Sequence, residues 1–442
     1  MKDANAHARE LGELQAHVLS EKLFSLQIRR TKEEVLKDEL PMKDERVVFC
    51  EPSELQKQIY RHILKQPDFV LLSQANAPCE CGVNQKFFLE YQHLASLEER
   101  IEYQRRNKDS VITRRQCCHK TPTIPGEGID PRAVLWRQHE EHSEDLVECM
   151  RCPYCISFNA LHILYKCSSH VGLLQLEKMP EHYPVGSKAR KEAHKALARA
   201  KVFLPPEILH QLPGGSYIRE SSIMNDHFSL SGKMIVVDKL LKAIKLQQGR
   251  VLLFAESTQS LDLIENFIKS EGYDHLRMDG TTTTTRREEL VQEFANSNTF
   301  LFLLSTKAMG LGLNLTQANF VIIWDVSWNP SSDAQAQDRA FRIGQKRDVK
   351  VFRLVSRGTI EELKYLRQVY KTQLTQETIV DPNDGDREKS ARLFRGVAGD
   401  KDRKGELFGF ANLFKFKVCE GCFKVVYYID LDNTCLVSTP LS

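Results

Sequence analysis

Between residues 231 and 355 the chain alternates short apolar runs with amphipathic stretches, and this alternation restricts the possible folds more than any other feature. The runs 251–255, 274–278, 300–305, 320–324 and 349–355 have the length of strands. Residues 259–270 repeat apolar positions at helical spacing, and Thr285-Arg-Arg-Glu288 has the form of a capping box that opens another helix. Strands separated by helices do not pair as hairpins; they pair in parallel and are covered on both faces. The predicted class is therefore α/β, a parallel sheet with helices on both faces, preceded by a mainly helical N-terminal region with a Cys-rich insertion.

The apolar runs are far shorter than the roughly 20 residues a membrane helix needs, so no membrane partner is expected. The first residues, Met1-Lys-Asp-Ala-Asn-Ala-His, are polar and carry no secretory pattern, which points to a reducing compartment. In such a compartment the 12 cysteines read as thiols or metal ligands rather than disulfides. The net charge is only +3, so nucleic-acid binding would have to come from local patches.

Four regions follow from composition. Residues 1–66 read as mostly helical, with a strand candidate at 46–50 and a helix opened by Ser53. Residues 67–230 are rich in cysteine and histidine, with charged helices expected around 87–107 and 132–148. Within them 187–202 is helix-favouring and basic, either a solvated face or a contact to DNA phosphates. Residues 231–372 hold the α/β pattern, and 373–442 form a charged linker with an aromatic patch at 407–416 that either docks on a domain or binds a partner.

In an open α/β sheet ligands bind outside the carboxyl ends of the strands. Three motifs follow strand candidates: Asp279-Gly-Thr, the run 305–315 with Gly310 and Gly312, and the run 333–345. The two glycines permit a tight loop whose amides can face an anion. Gln335, Arg339 and Arg342 are spaced i, i+4 and i+7, which predicts one face of a helix. Two rigid guanidinium forks and an amide on one face suit a polyphosphate, though a solvated basic face has the same spacing.

Five ordered motifs carry a resemblance to a known family. They are Val251-Leu-Leu-Phe-Ala, Met278-Asp-Gly-Thr-Thr, Leu304-Ser-Thr-Lys-Ala-Met-Gly-Leu-Gly-Leu-Asn-Leu, Trp324-Asp-Val-Ser-Trp-Asn-Pro and Gln335-Ala-Gln-Asp-Arg-Ala-Phe-Arg-Ile-Gly-Gln345. Together they resemble the second RecA-like lobe of superfamily-two helicases, in particular the Snf-two family of DNA-dependent ATPases. Arg29-Arg-Thr-Lys-Glu-Glu-Val-Leu is similar to the end of that family's first lobe, and 161–170 to the helix before the second. Gly405-Glu-Leu-Phe-Gly and Tyr365-Leu-Arg-Gln-Val-Tyr-Lys resemble the excision-repair group-six-like branch.

The resemblance implies that Arg339 and Arg342 are arginine fingers for ATP and magnesium held on a first RecA-like lobe, with Gln335 opening their motif. It implies that Gly310 and Gly312 lie in the loop coupling ATP to DNA. Gly280, Thr281, Ser305 and Thr306 fall where the family's second lobe meets the backbone of double-stranded DNA. It further implies a nuclear location and repair or chromatin proteins as partners. The 442 residues contain no Gly-x-x-x-x-Gly-Lys-Ser/Thr, since Ser231-Gly-Lys-Met lacks the upstream glycine and the hydroxyl, and no acidic box follows a strand candidate. The expectation is a motor's second lobe that does not hydrolyse ATP alone. A non-enzymatic regulatory piece, binding DNA or protein through the Cys-rich insertion and tail, competes with it. Another nucleotide-binding α/β enzyme, such as a glycosyltransferase, explains the strands but not the arginine segment.

Seven thiols in the insertion (Cys79, Cys81, Cys117, Cys118, Cys149, Cys152 and Cys155) include Cys-x-x-Cys half-sites. They read either as a zinc site, which needs four ligands in a tetrahedron, or as free thiols. Cys167 and His170 are expected in a helix core, and Cys419-Glu-Gly-Cys422 as a chance pair.

Overall fold

The computed structural model describes residues 18, 22, 26, 30, 32–36, 39–75, 122–124, 126–139, 153–219, 227–308, 313–379 and 413–414. The chain forms two compact units, one from 1–53, 224–409 and 418–442, the other from 54–223 and 410–417.

The first unit is a six-stranded, wholly parallel sheet: β1 Lys43–Cys50, β2 Val251–Ala255, β3 His275–Met278, β4 Leu301–Ser305, β5 Phe320–Ile323 and β6 Val349–Ser356. Their spatial order is β1-β6-β5-β2-β4-β3. β1 pairs with β6 from Lys43↔Val349 to Cys50↔Ser356, so this upstream strand belongs to the same sheet as the later residues. Its first residues, Lys43-Asp44-Glu45, are polar, which hid them from a search for apolar runs.

Every residue of β2, β4 and β5 is buried, as a sheet covered on both faces requires. The period of two then sends alternate residues into two separate cores. Val251, Leu253, Leu301, Leu303, Phe320 and Ile322 pack under helices α1 Gly232–Leu246 and α2 Thr258–Ser270. Leu252, Phe254, Phe302, Leu304, Val321 and Ile323 pack under α3 Thr284–Asn296, Ala336 of α4 Pro330–Gln337, and the pair Ala340–Phe341. A fifth helix, α5, spans Ile360–Ile379.

Local signals set several ends. Asn329 caps α4, accepting from the Ser331 N–H at 3.2 Å, with Pro330 at the first helical position. The capping box expected at Thr285 is displaced: Thr283 is the cap, its hydroxyl accepting from the Arg286 N–H. The helix therefore starts two residues earlier than expected, and Thr285 falls inside its first turn. Gly232 opens α1 where a Cβ would stand 1.9 Å from the Glu51 carbonyl oxygen, so only glycine lets the helix start against the end of β1.

In the second unit the basic run forms the helix Lys188–Phe203, capped by Ser187. Gln56, in the helix Glu54–Leu64, donates to the Cys167 carbonyl (2.9 Å) at the end of Ser157–Ser169. Cys167 is buried and His170 accepts from the Gly172 N–H, so both belong to the packing of this unit. Leu413 and Phe414 of the aromatic patch are buried, with Phe414 edge-on to Phe69 at 6.0 Å. The helix expected at 87–107 and the Cys419/Cys422 pair lie outside the described residues; of 132–148, Val134–Gln138 is seen as helix.

Candidate functional site

Strands of a parallel sheet begin at one edge and finish at the other, so the motifs sort by edge. At the carboxyl edge, the pairing Met278↔Leu304 makes the loops after β3 and β4 emerge side by side. Asp279 turns the first loop: its carboxylate accepts from the Thr281 N–H (2.9 Å) and hydroxyl (2.6 Å), while Arg277 holds it at 2.9 Å. Gly280 is exposed, and a Cβ there would meet nothing within 4 Å. The fold therefore does not require glycine at 280. Ser305 is buried at the end of β4, and the Thr306 hydroxyl donates to the Ala255 carbonyl at 3.1 Å. Of the four residues expected at DNA, only Gly280 and Thr281 are well exposed.

The same edge holds a buried charge cluster that sequence reasoning missed. Lys233, fully enclosed, donates to Glu361 and to the Trp324 carbonyl, both at 2.7 Å, and lies 3.7 Å from Asp325. Burial works against the lysine's charge, yet Glu361 and Asp325 outweigh it and raise its pKa. Burial also raises Glu361, with Asp325 adding to it and Lys233 opposing. One cation between two carboxylates leaves a net negative cluster, which explains why both move upward. Lys233 stands in the Ser231-Gly-Lys-Met run that fails as a phosphate loop. The helix also carries Lys239, Lys242 and Lys245, so nothing local in the sequence marked Lys233 as the buried one. Beside it Lys364 reaches Glu256 at 3.5 Å.

Arg339 and Arg342 are not where their spacing put them. α4 ends at Gln337, so Gln335 is helical but the arginines follow it in a turn, and the single helical face is a correction. Three groups stop the helix. The Arg339 carbonyl accepts from the Leu315 N–H (3.0 Å), where a continued helix would require residue 343. The Ala340 carbonyl accepts from the Gln345 side chain (3.1 Å), which also holds Ala318 at 2.8 Å. Gly344 then adopts φ +100°, open to glycine and strained for other residues.

Their edge is also corrected. Leu315 and Ala318 precede β5, and Lys43, which begins β1, lies 5.9 Å from the Phe341 ring. α4 starts from the carboxyl edge but carries the chain back, so the arginines lie at the amino edge. Ala340 and Phe341 anchor the turn in the core, and Lys32 pins it from outside through Asp338 at 2.7 Å. Arg339 is lowered by burial and then by the positive charge of Arg342, with Asp338 opposing. At the same edge Arg250 donates to the Thr299 carbonyl (3.0 Å) and Arg347 to the Gln317 carbonyl (2.6 Å).

Gly310 and Gly312 lie outside the described residues, but the connection that contains them runs from Thr306 at the carboxyl edge to Leu315 at the amino edge. Cys79, Cys81, Cys117, Cys118, Cys149 and Cys152 also lie outside them; Cys155 is half-buried and not part of a disulfide. Among the described residues no group of three His, Cys, Asp or Glu side chains is arranged to hold a metal, and no helix is long and apolar enough to cross a membrane.

Residues 232–344 match the helicase conserved C-terminal domain, and residues 2–120 the SNF2-related domain. The chain is similar to Switch 2 of Arabidopsis thaliana, 34% identical over 88% of this chain and 39% of that protein. It is similar to the DNA excision repair protein ERCC-6-like 2 of Mus musculus, 34% identical over 94% of this chain and 23% of that protein. With DNA excision repair protein ERCC-6 of Homo sapiens it shares 48% identity over 38% of this chain and 11% of that protein. The chain thus spans well under half the length of these curated relatives. A solved C-terminal part of the Fun30 ATPase domain aligns over 81% of this chain and 99% of its own, at 23% identity and a TM-score of 0.44.

Proposed function

We propose, for a chain that belongs to the SNF2-related family and within it is related to the excision-repair ERCC-6 group, the role of second motor lobe in an ATP-driven translocase on double-stranded DNA. The observation that supports this reading is the placing of Arg339 and Arg342 three residues apart in one turn that Leu315 and Gln345 fix at an edge of the sheet. Such a pair gains most from a group with several negative charges. A triphosphate bound with magnesium on a separate lobe is such a group, and there the arginines would stabilise charge developing on the transferred phosphoryl. The sequence holds no Gly-x-x-x-x-Gly-Lys-Ser/Thr loop, which supports assigning the nucleotide to another lobe.

The opposite edge offers Gly280 and Thr281 to a DNA backbone. The connection from Thr306 to Leu315 touches both edges, through the Ala255 carbonyl at one end and the Arg339 carbonyl at the other. A shift of the arginine turn on meeting phosphate would therefore be felt beside the DNA loops. The relatives' names place them in excision repair, and for this chain we assign repair or chromatin work in the nucleus.

The test is turnover by the isolated chain with and without duplex DNA. No hydrolysis is expected in either case; DNA-stimulated hydrolysis by these 442 residues alone would overturn the assignment of the nucleotide to another lobe.

A further inference from the structure

The chain's excess positive charge is concentrated outside the six-stranded sheet. The helix Lys188–Phe203 holds six lysines and arginines against one acid, Glu192. Its formal charge of about +5 exceeds the +3 of the whole chain. The buried side is formed by Ala200 and Phe203. On the opposite side Lys188, Lys191, His194 and Lys201 are exposed, with the small Ala198 between them. At 3.6 residues per turn these positions fall on one stripe, and at about 1.5 Å per residue it runs roughly 20 Å. Among the described residues no carboxylate pairs with Lys188, Lys191 or Lys201; Glu192 lies 3.7 Å from Lys195.

Two further features show that folding does not explain this charge. Lys188, Arg190 and Lys191 fill the first turn, which holds no acidic residue, so they oppose the helix dipole where a carboxylate would stabilise the helix. Ser187 nevertheless caps that turn, its hydroxyl accepting from the Arg190 N–H at 3.2 Å, and keeps the lysines on a formed helix. Inward, burial and then the charges of Arg199 from this helix and of Arg219 push Lys166 down to about 8, with Glu177 opposing.

We propose that the outward face of Lys188–Phe203 is a second nucleic-acid contact, lying along the phosphate backbone of duplex DNA. The stripe offers cations and no exposed aromatic ring, which suits the sequence-independent backbone of a duplex rather than the stacked bases of a single strand. The choice of DNA among polyanions rests on the function proposed above; the site does not overlap the lobe residues named there.

The test uses the full chain and a fluorescent 30-base-pair duplex (an arbitrary length of about 30), titrated between roughly 50 and 200 mM salt. The variant Lys188→Ala/Lys191→Ala/Lys201→Ala replaces exposed residues with a good helix former, so helix content by circular dichroism should hold. The log–log salt slope is expected to fall by about 2–3 and the low-salt affinity by at least about 10-fold, following roughly 0.9 of slope per phosphate contact. An unchanged slope and affinity would overturn the proposal. Gly280→Ala separates the two readings. Loss with the lysine variant alone supports this helix and speaks against the lobe contact, whereas loss with Gly280→Ala alone removes the helix and leaves the lobe. Displacement of the duplex from wild-type protein by polyglutamate or an RNA duplex as readily as by unlabelled DNA would overturn the commitment to DNA.

Discussion

At the amino edge of the sheet, Arg250 and Arg347 hold backbone carbonyls, and Arg339 and Arg342 share one turn. At the carboxyl edge, Lys233, Arg277 and Lys364 are each bound to carboxylates. A carbonyl leaves a guanidinium its full charge, whereas a buried carboxylate cancels it. Arg250 and Arg347 therefore keep their charge at the amino edge, where Lys32 and Lys43 are paired with Asp338 and Glu45, and the carboxyl-edge cations hold loops in place. Among the described residues the carboxyl edge exposes Gly280, Thr281 and Lys307, the last 4.0 Å from Glu256. In the function proposed above, the two edges meet two different ligands.

The largest expected effect comes from breaking the amino edge. In a protein that joins this chain to an ATP-binding lobe, Arg339→Ala should lower turnover by about 10³-fold, the scale of an arginine finger, with nucleotide affinity little changed. Steady-state ATPase and nucleotide binding on one preparation would show this. Undiminished turnover would leave Arg339 as a surface residue.

At the carboxyl edge the same kind of cut should act on folding. Lys233→Met strands Glu361 and Asp325 in a closed site, with an expected cost of about 3–5 kcal/mol in denaturant unfolding. A change below about 1 kcal/mol would mean that the cluster takes up a proton or water in place of the lysine. Gln345→Ala removes the bridge between the Ala318 and Ala340 carbonyls and should cost about 1–3 kcal/mol, with loosening confined to the arginine turn as read by hydrogen exchange.

A smaller effect concerns pH. Burial alone would raise the Glu265 carboxyl, but hydrogen bonds from Lys269, Arg277 and His275 hold it at about 2. Its folded value lies below the unfolded one, so its stabilisation is complete above about 4.5 and is lost as pH falls towards 2. Glu265→Gln should therefore flatten the melting temperature between those values. A melting profile as steep as wild type would place the acid sensitivity elsewhere. Smallest of all, Gly280→Ala should change stability by less than about 0.5 kcal/mol, because the added methyl meets no atom. A larger loss would show that glycine there serves the fold.

The two edges also differ in how far sequence could reveal them. The buried strands were legible because full burial leaves continuous apolar runs such as Val251–Ala255. The motifs after β3 and β4 were legible because they follow those runs directly. The arginines were found as residues but misplaced, since the end of α4 depends on Leu315 and on a glutamine side chain eight residues beyond the helix. No local pattern encodes a hydrogen bond from residue 315 to 339. β1 was only half visible, because its polar start is fixed by pairing with a strand some 300 residues later. Lys233 was overlooked for a similar reason: its partners, Asp325 and Glu361, are distant in sequence.

One paired measurement tests the separation of the edges most directly. Arg342→Ala and Gly280→Ala would each be assayed, in the protein joined to its ATP-binding lobe, for duplex affinity without nucleotide and for turnover at saturating DNA. Arg342→Ala should keep its grip on DNA and lose turnover, while Gly280→Ala should bind DNA more weakly and turn over normally once saturated. Equal losses in both assays for both variants would contradict a lobe that meets phosphate at one edge and DNA at the other.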